Sequence, residues 1–182
     1  MAEHKKTLTV KLRVQELVFD IQNKAYLTGQ SREADGAKGY EAASNMQVND
    51  DNENSYQIRR SLDNAFAELK SLLGEYLVES TGQCALCCDA ASTRETDNLI
   101  DDEIDNDGML KMVFSMPSNF NDSSSDTLGS GIHAYLVDRA LGDWFTITNR
   151  EDADTYVAHS AVILETVKRA LYKRSRPERP TY

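Results

Sequence analysis

Apolar residues recur at helical spacing through most of this chain and alternate with polar ones in two short places. Ile58, Leu62, Ala65, Leu69, Leu72 and Tyr76 follow a 4-3-4-3-4 spacing, and Phe66, Leu73 and Leu77 widen the stripe. That pattern predicts an amphipathic helix over 55–79 that buries one face against partner helices at shallow crossing angles. Leu128, Ile132, Leu136, Ala140 and Trp144 mark a second stripe, with Asp126 and its neighbouring serines offering an N-cap. Asn149 is placed to cap a third helix, with Glu151 and Asp152 in the first turn, where the helix dipole favours acids. Its stripe is Tyr156, Ser160, Ile163, Val167 and Ala170, with Leu164 and Leu171 beside it.

Near the N-terminus the two periods compete. Leu8, Val10, Leu12 and Val14 alternate as a strand would, whereas Val10, Val14, Leu17, Ile21 and Ala25 form a longer helical series. The longer series predicts a helix over 10–28, stopped by Gly29 and preceded by a short extended arm. Residues 29–54 read as a connection, with a short helix around 40–47. Asn98–Ile104 and Met109–Met116 flank the turn sequence Asp105-Asn106-Asp107-Gly108, and Pro117 ends the second segment. These signals predict a β-hairpin.

The fold expected is mainly α, a four-helix-type bundle with an inserted β-hairpin and an extended C-terminal tail. Residues 1–174 form one helical domain with the hairpin at 96–116, and 175–182 form the arm. Pro177 and Pro180 bias that arm toward an extended form. It is either a solubilising end or an arm docked on a partner, since Arg and Tyr are typical interface anchors.

Charge sharpens this picture. The net charge of 182 residues is −10, yet residues 168–182 hold six basic side chains against Glu178, leaving −15 for the rest. The block 89–107 has eight acids and only Arg94 as a base. Such a body repels nucleic acid at long range. Its plain meaning is solubility, and the sharper one is a surface that faces DNA without gripping it. The N-terminal apolar residues are interrupted by Lys11, Arg13 and Glu16, and no apolar run approaches a membrane span, so neither signal peptide nor membrane partner is expected.

The candidate chemistry is thin. Cys84-x-x-Cys87-Cys88 is one cysteine pair with no fourth thiol, and the next histidine, His133, stands 45 residues beyond, so reduced thiols are expected rather than zinc. Glu103-x-Asp105-x-Asp107-Gly108 resembles half a calcium loop, but its twelfth position is Phe114 where a bidentate Glu is required. Gly129-Ser130-Gly131 has the spacing of neither a nucleophile elbow nor a phosphate loop, and reads as a flexible helix start that lets Leu128 and Ile132 seat. His4 falls in a loose terminus, and His133 and His159 read as surface or half-buried structural side chains. Trp144 and Phe145 pin a helix corner or, as a minority reading, form an aromatic patch for a partner. No catalytic residue, metal site or cofactor is expected.

The second half, 109–182, resembles small proteins encoded among the virion structural genes of tailed phages of gut bacteria. The residues that carry this are Met116-Pro117-Ser118-Asn119-Phe120, Tyr135 to Ala140 with Leu141, Asp143, Trp144 and Phe145, and Leu171-Tyr172-Lys173-Arg174 with Arg176 and Pro177. In architecture the chain is similar to head–tail adaptor or neck proteins, helical bundles that assemble into rings beneath the portal. That similarity implies a non-enzymatic structural role in the virion, after synthesis in the bacterial host cytoplasm. The implied partners are other copies of itself, the portal or other neck and tail proteins, and DNA that passes without specific binding. It assigns Lys173, Arg174, Arg176, Arg179 and Tyr182 to the docking tail, with Trp144 as the further candidate contact. The alternative is a cytoplasmic protein-binding module or regulator without catalytic activity.

Overall fold

The computed structural model describes residues 5–33, 52–81 and 108–175. The expected helix at 40–47, the strand at 98–104, the cysteine cluster, the acidic turn before Gly108 and Arg176, Arg179 and Tyr182 lie outside them. Among the described residues the body is mainly helical and carries a small antiparallel sheet of three strands.

The N-terminal competition between periods is won by the strand. Lys6–Arg13 forms β1, and α1 (Val14–Glu33) starts only where β1 ends. Val10 is buried and Leu8 and Leu12 half-buried on one face, while Thr7, Thr9, Lys11 and Arg13 look to solvent. A β-branched, half-buried strand of this kind needs a partner ladder, which the helical series over 10–13 did not anticipate. The helix also runs past Gly29 to Glu33, so Gly29 is an interior residue and not the cap.

The second helix, α2 (Asn52–Leu72), buries Ile58, Leu62, Ala65, Phe66 and Leu69 as its stripe predicts. It stops before Tyr76, however. Leu73 N–H still bonds the Leu69 carbonyl at 3.0 Å, then a turn through Gly74 sends the chain into β2 (Leu77–Thr81). Leu77 therefore serves the sheet, and Leu72 is 41% exposed.

β3 (Met109–Met116) is the central strand, in the order β1-β3-β2. Lys6 pairs with Met116 and Arg13 with Met109 on one side, and Leu77 with Phe114 and Thr81 with Lys111 on the other. Leu110, Met112, Phe114 and Met116 point into the core. Both edges of β3 are thus occupied by β1 and β2 over 111–114, so the expected pairing of β3 with 98–104 gives way there to two strands from distant parts of the chain.

A 3-10 turn (Asp122–Ser124), capped by the Asn121 side chain accepting from Ser123 N–H at 3.1 Å, leads into α3 (Ser125–Thr148). The N-cap is Ser124, one of the serines neighbouring Asp126, and it makes no side-chain cap bond. Asn149 does cap α4 (Arg150–Tyr172) as predicted, accepting from Glu151 N–H at 3.2 Å. α3 is the hub. Its predicted stripe is wholly buried, and α1, α2 and α4 all pack on it. α3 and α4 approach tightly at two glycines: a Cβ on Gly131 would stand 2.7 Å from Val167 Cγ2, and one on Gly142 would stand 2.8 Å from Val157 Cγ2. Gly131 is therefore a point of close helix approach and not a loosened first turn.

Candidate functional site

One flank of α1 carries Asp20, Lys24 and Thr28 at i, i+4 and i+8, a spacing that aligns them in a row. Each meets a polar side chain from α3 or α4. Asp20 Oδ2 lies 3.5 Å from His133 Nε2, and Thr28 Oγ1 lies 2.9 Å from the Tyr156 hydroxyl. Between them, Lys24 Nζ donates to Asp138 Oδ1 at 2.8 Å, and Asp138 Oδ2 accepts from His159 Nδ1 at 2.5 Å. The Asp138 side chain is 2% exposed, against 43% for Lys24 and 64% for His159. A buried carboxylate is tolerated only when paired and hydrogen-bonded, and these two donors meet both of its oxygens. The row is a polar seam that ties α1, α3 and α4 together. The Tyr156 ring extends it into the core by stacking on Phe145, with centroids 5.3 Å apart.

A second charged group joins α2 to α3. Arg139 Nε donates to Glu68 Oε2 at 2.8 Å, a bond that raises the guanidinium pKa further. Burial pushes the Tyr135 phenol up to about 12, with the nearby Glu68 carboxylate adding to the shift. Burial also raises Asp143, against the opposing pull of Arg139. These arrangements orient helices, and among the described residues no group of three or more His, Cys, Asp or Glu is placed to hold a metal ion. Nor is any described helix long and apolar enough to cross a membrane.

The start of the predicted docking tail is held to the body. Phe120 and Arg174 form an isolated antiparallel bridge, Asn121 N–H bonds the Lys173 carbonyl at 3.3 Å, and Ser175 N–H bonds the Asn119 carbonyl at 2.8 Å. Arg174 spends its guanidinium on the end of α4, donating from Nη1 to the Leu171 carbonyl at 2.7 Å. Lys173 is exposed and extended. Trp144 is 6% exposed and lies in the core beside Phe145, at the corner between α3 and α4. Of the three predicted contact residues that are described, Trp144 is buried, Arg174 half-buried and Lys173 exposed.

What lies exposed was not singled out by the sequence. Phe19, Tyr26 and Leu27 project from α1, at 65%, 45% and 54% exposure, and Val157 and Val162 project from α4. An open groove of about 600 Å³ runs between β1 and the first turns of α3, lined by Leu8 to Leu12, Gly129, Ser130 and His133 among others. His133 also borders a second groove of about 500 Å³ against Gln15, Phe19 and Asp20 of α1. The signal that could have revealed the seam is Asp138, the one acid within Tyr135 to Leu141, a stretch that is otherwise apolar but for Arg139. A scan against protein-family models finds no match to this chain, and searches of curated proteins and of solved structures find none either.

Proposed function

We propose that this protein is a non-enzymatic structural component of a tailed-phage virion, set in a ring at the head–tail junction below the portal. In this reading the four helices act as a bundle-type body, and the C-terminal segment with Arg176, Arg179 and Tyr182 docks on a neighbouring portal or neck protein. The observation that carries the proposal is the presence of exposed apolar side chains on two different helices, Phe19, Tyr26 and Leu27 on α1 and Val162 on α4. A ring is built from heterologous contacts, in which each copy offers one patch to the left neighbour and a different patch to the right. The net charge of −10 suits a wall past which DNA moves, because like charge keeps phosphates from adhering.

Mass spectrometry of purified virions is expected to find this polypeptide. Phe19→Glu and Val162→Glu, each placing a charge on one face, are expected to stop ring formation seen by negative-stain imaging while leaving the monomer's helical circular dichroism unchanged. Virions without the polypeptide, together with a co-purifying cellular partner, would overturn the proposal in favour of a cytoplasmic binding module.

A further inference from the structure

Val14 N–H donates to the Gly108 carbonyl at 3.0 Å, in step with a register that pairs Arg13 with Met109. In an antiparallel ladder, residues alternate between bonding the partner strand and pointing away from it. The even residues Leu8, Val10 and Leu12 consequently bond β3, and Thr7, Thr9 and Lys11 turn N–H and C=O outward. No backbone bond among the described residues outside the sheet reaches those three. The two sheet edges differ. β2 has five residues and a register shift between Leu77 and Glu79, which blunts it, whereas β1 presents eight residues in unbroken register.

Charge narrows what this edge accepts. β1 has Lys6, Lys11 and Arg13 and no acid, within a chain of net charge −10. Lys6 is paired with Asp122 and Arg13 with Glu16. Lys11 instead stands directly opposite Lys111 on the outer face, and no ion pair among the described residues includes either. Like charges directly opposite on a sheet repel. Lysines along an edge also deter pairing with an identical basic edge, which disfavours a second copy of β1 as the neighbour. A strand with an acid opposite Lys11 would offset the repulsion. Residues alternating with that acid would face the groove, whose helix wall is Ser125, Asp126, Gly129, Ser130 and His133; a Cβ at Gly129 would meet nothing within 4 Å.

We infer that the outer edge of β1 is a docking site for an extended acidic segment of another polypeptide, added to the sheet as a fourth strand. Main-chain bonds to Thr7, Thr9 and Lys11 supply the binding, as in other strand-addition complexes. Acids on the outer face opposite Lys11, and small or β-branched residues toward Gly129 and Ser130, supply the selectivity. The inference stands apart from the virion proposal, since it concerns one sheet edge whatever the assembly.

The probe is a capped peptide alternating glutamate with valine or threonine, matched in length to the eight residues of β1, beside a counterpart with lysine for glutamate. On the full chain at low salt, the acidic peptide is expected to bind one to one and slow amide exchange at Thr7, Thr9 and Lys11. The basic peptide is expected to bind at least about tenfold more weakly, as complementary charge across an interface requires. Thr9→Pro removes an outward N–H without touching the β1–β3 bonds, a placement proline tolerates on an edge, and is expected to abolish binding with circular dichroism unchanged. Lys11→Glu is expected to weaken binding about tenfold or more by the same charge argument, and it keeps the test open if the proline variant unfolds. Equal binding of both peptides, no binding, or unimpaired binding by a folded Thr9→Pro chain would overturn the inference. So would protection of these amides in the free protein, whether by its own residues at low concentration or by self-association at high concentration.

Discussion

Replacing Gly131 by alanine puts a methyl 2.7 Å from Val167 Cγ2, well inside the contact distance of about 3.5–4.0 Å for carbon. Val167 is fully buried in the C-terminal part of α4, and a β-branched side chain in a helix has essentially one χ1 rotamer, so the methyl cannot be sidestepped by rotation. Relief requires the helices to part, which costs about 1–3 kcal/mol for overpacking. Against this stands the gain of about 1 kcal/mol from removing an interior helical glycine. Overpacking wins, and Gly131→Ala is expected to destabilise by about 1 kcal/mol. In a Val167→Ala background the obstruction is gone and only the helix-propensity gain remains, so the same substitution is expected to stabilise by about 1 kcal/mol. The sign change amounts to a coupling of about 2 kcal/mol, within the range for residues in contact. Gly129→Ala is the internal control. A Cβ there meets nothing within 4 Å, and the substitution is expected to stabilise whatever stands at 167. Urea denaturation of the four-member cycle, followed by circular dichroism, measures the coupling. A value below about 0.5 kcal/mol, the usual additivity error, would mean that α3 and α4 do not meet at Gly131.

Further substitutions address the charged groups. Asp138→Ala is expected to destabilise by about 1–3 kcal/mol, the range for a buried polar network that loses its acceptor, whereas His159→Gln, at a ring 64% exposed, should cost below about 1 kcal/mol in the same denaturation assay. Asp143 has a raised pKa, so its folded form prefers the proton and its stabilising contribution is present at acid pH and lost as pH rises through the folded value. Asp143→Asn should therefore be more stable than the parent at neutral pH, with the advantage vanishing below the ordinary carboxylate range in urea titrations at both pH values. The Tyr135 phenol should ionise near 12 rather than 10.0 by ultraviolet absorbance, and its contribution to stability is lost as pH rises through that window. Tyr135→Phe should remove that portion of the alkaline decline.

Helices α2, α3 and α4 are legible because a single apolar stripe decides each one, and the burial of Ile58, Leu62, Ala65 and Leu69 or of Leu128 through Trp144 follows the spacing directly. The sheet is less legible. Val10 and Val14 satisfy both a strand and a helix, and the choice is made by Met112, which stands opposite Val10 from the far side of the chain. The end of α2 is obscured similarly, because Tyr76 and Leu77 continue its stripe while the turn after Leu73 breaks it. Local spacing carries no record of which strand will arrive to claim Leu77. Apart from Asp138, the seam is hidden for the same reason: Asp20, Lys24 and Thr28 are ordinary polar residues until α3 and α4 supply His133, Asp138 and Tyr156.

The pairing of Lys6 with Met116 has a consequence during translation. β1 leaves the ribosome before β3 and waits for its only described partner until about a hundred further residues are made, roughly 5–20 s at ordinary elongation rates. Throughout that interval both margins of the strand are open to any nascent chain nearby. Lys6, Lys11 and Arg13 then serve as gatekeepers, keeping the young strand from sticking to its neighbours on the polysome until β3 arrives.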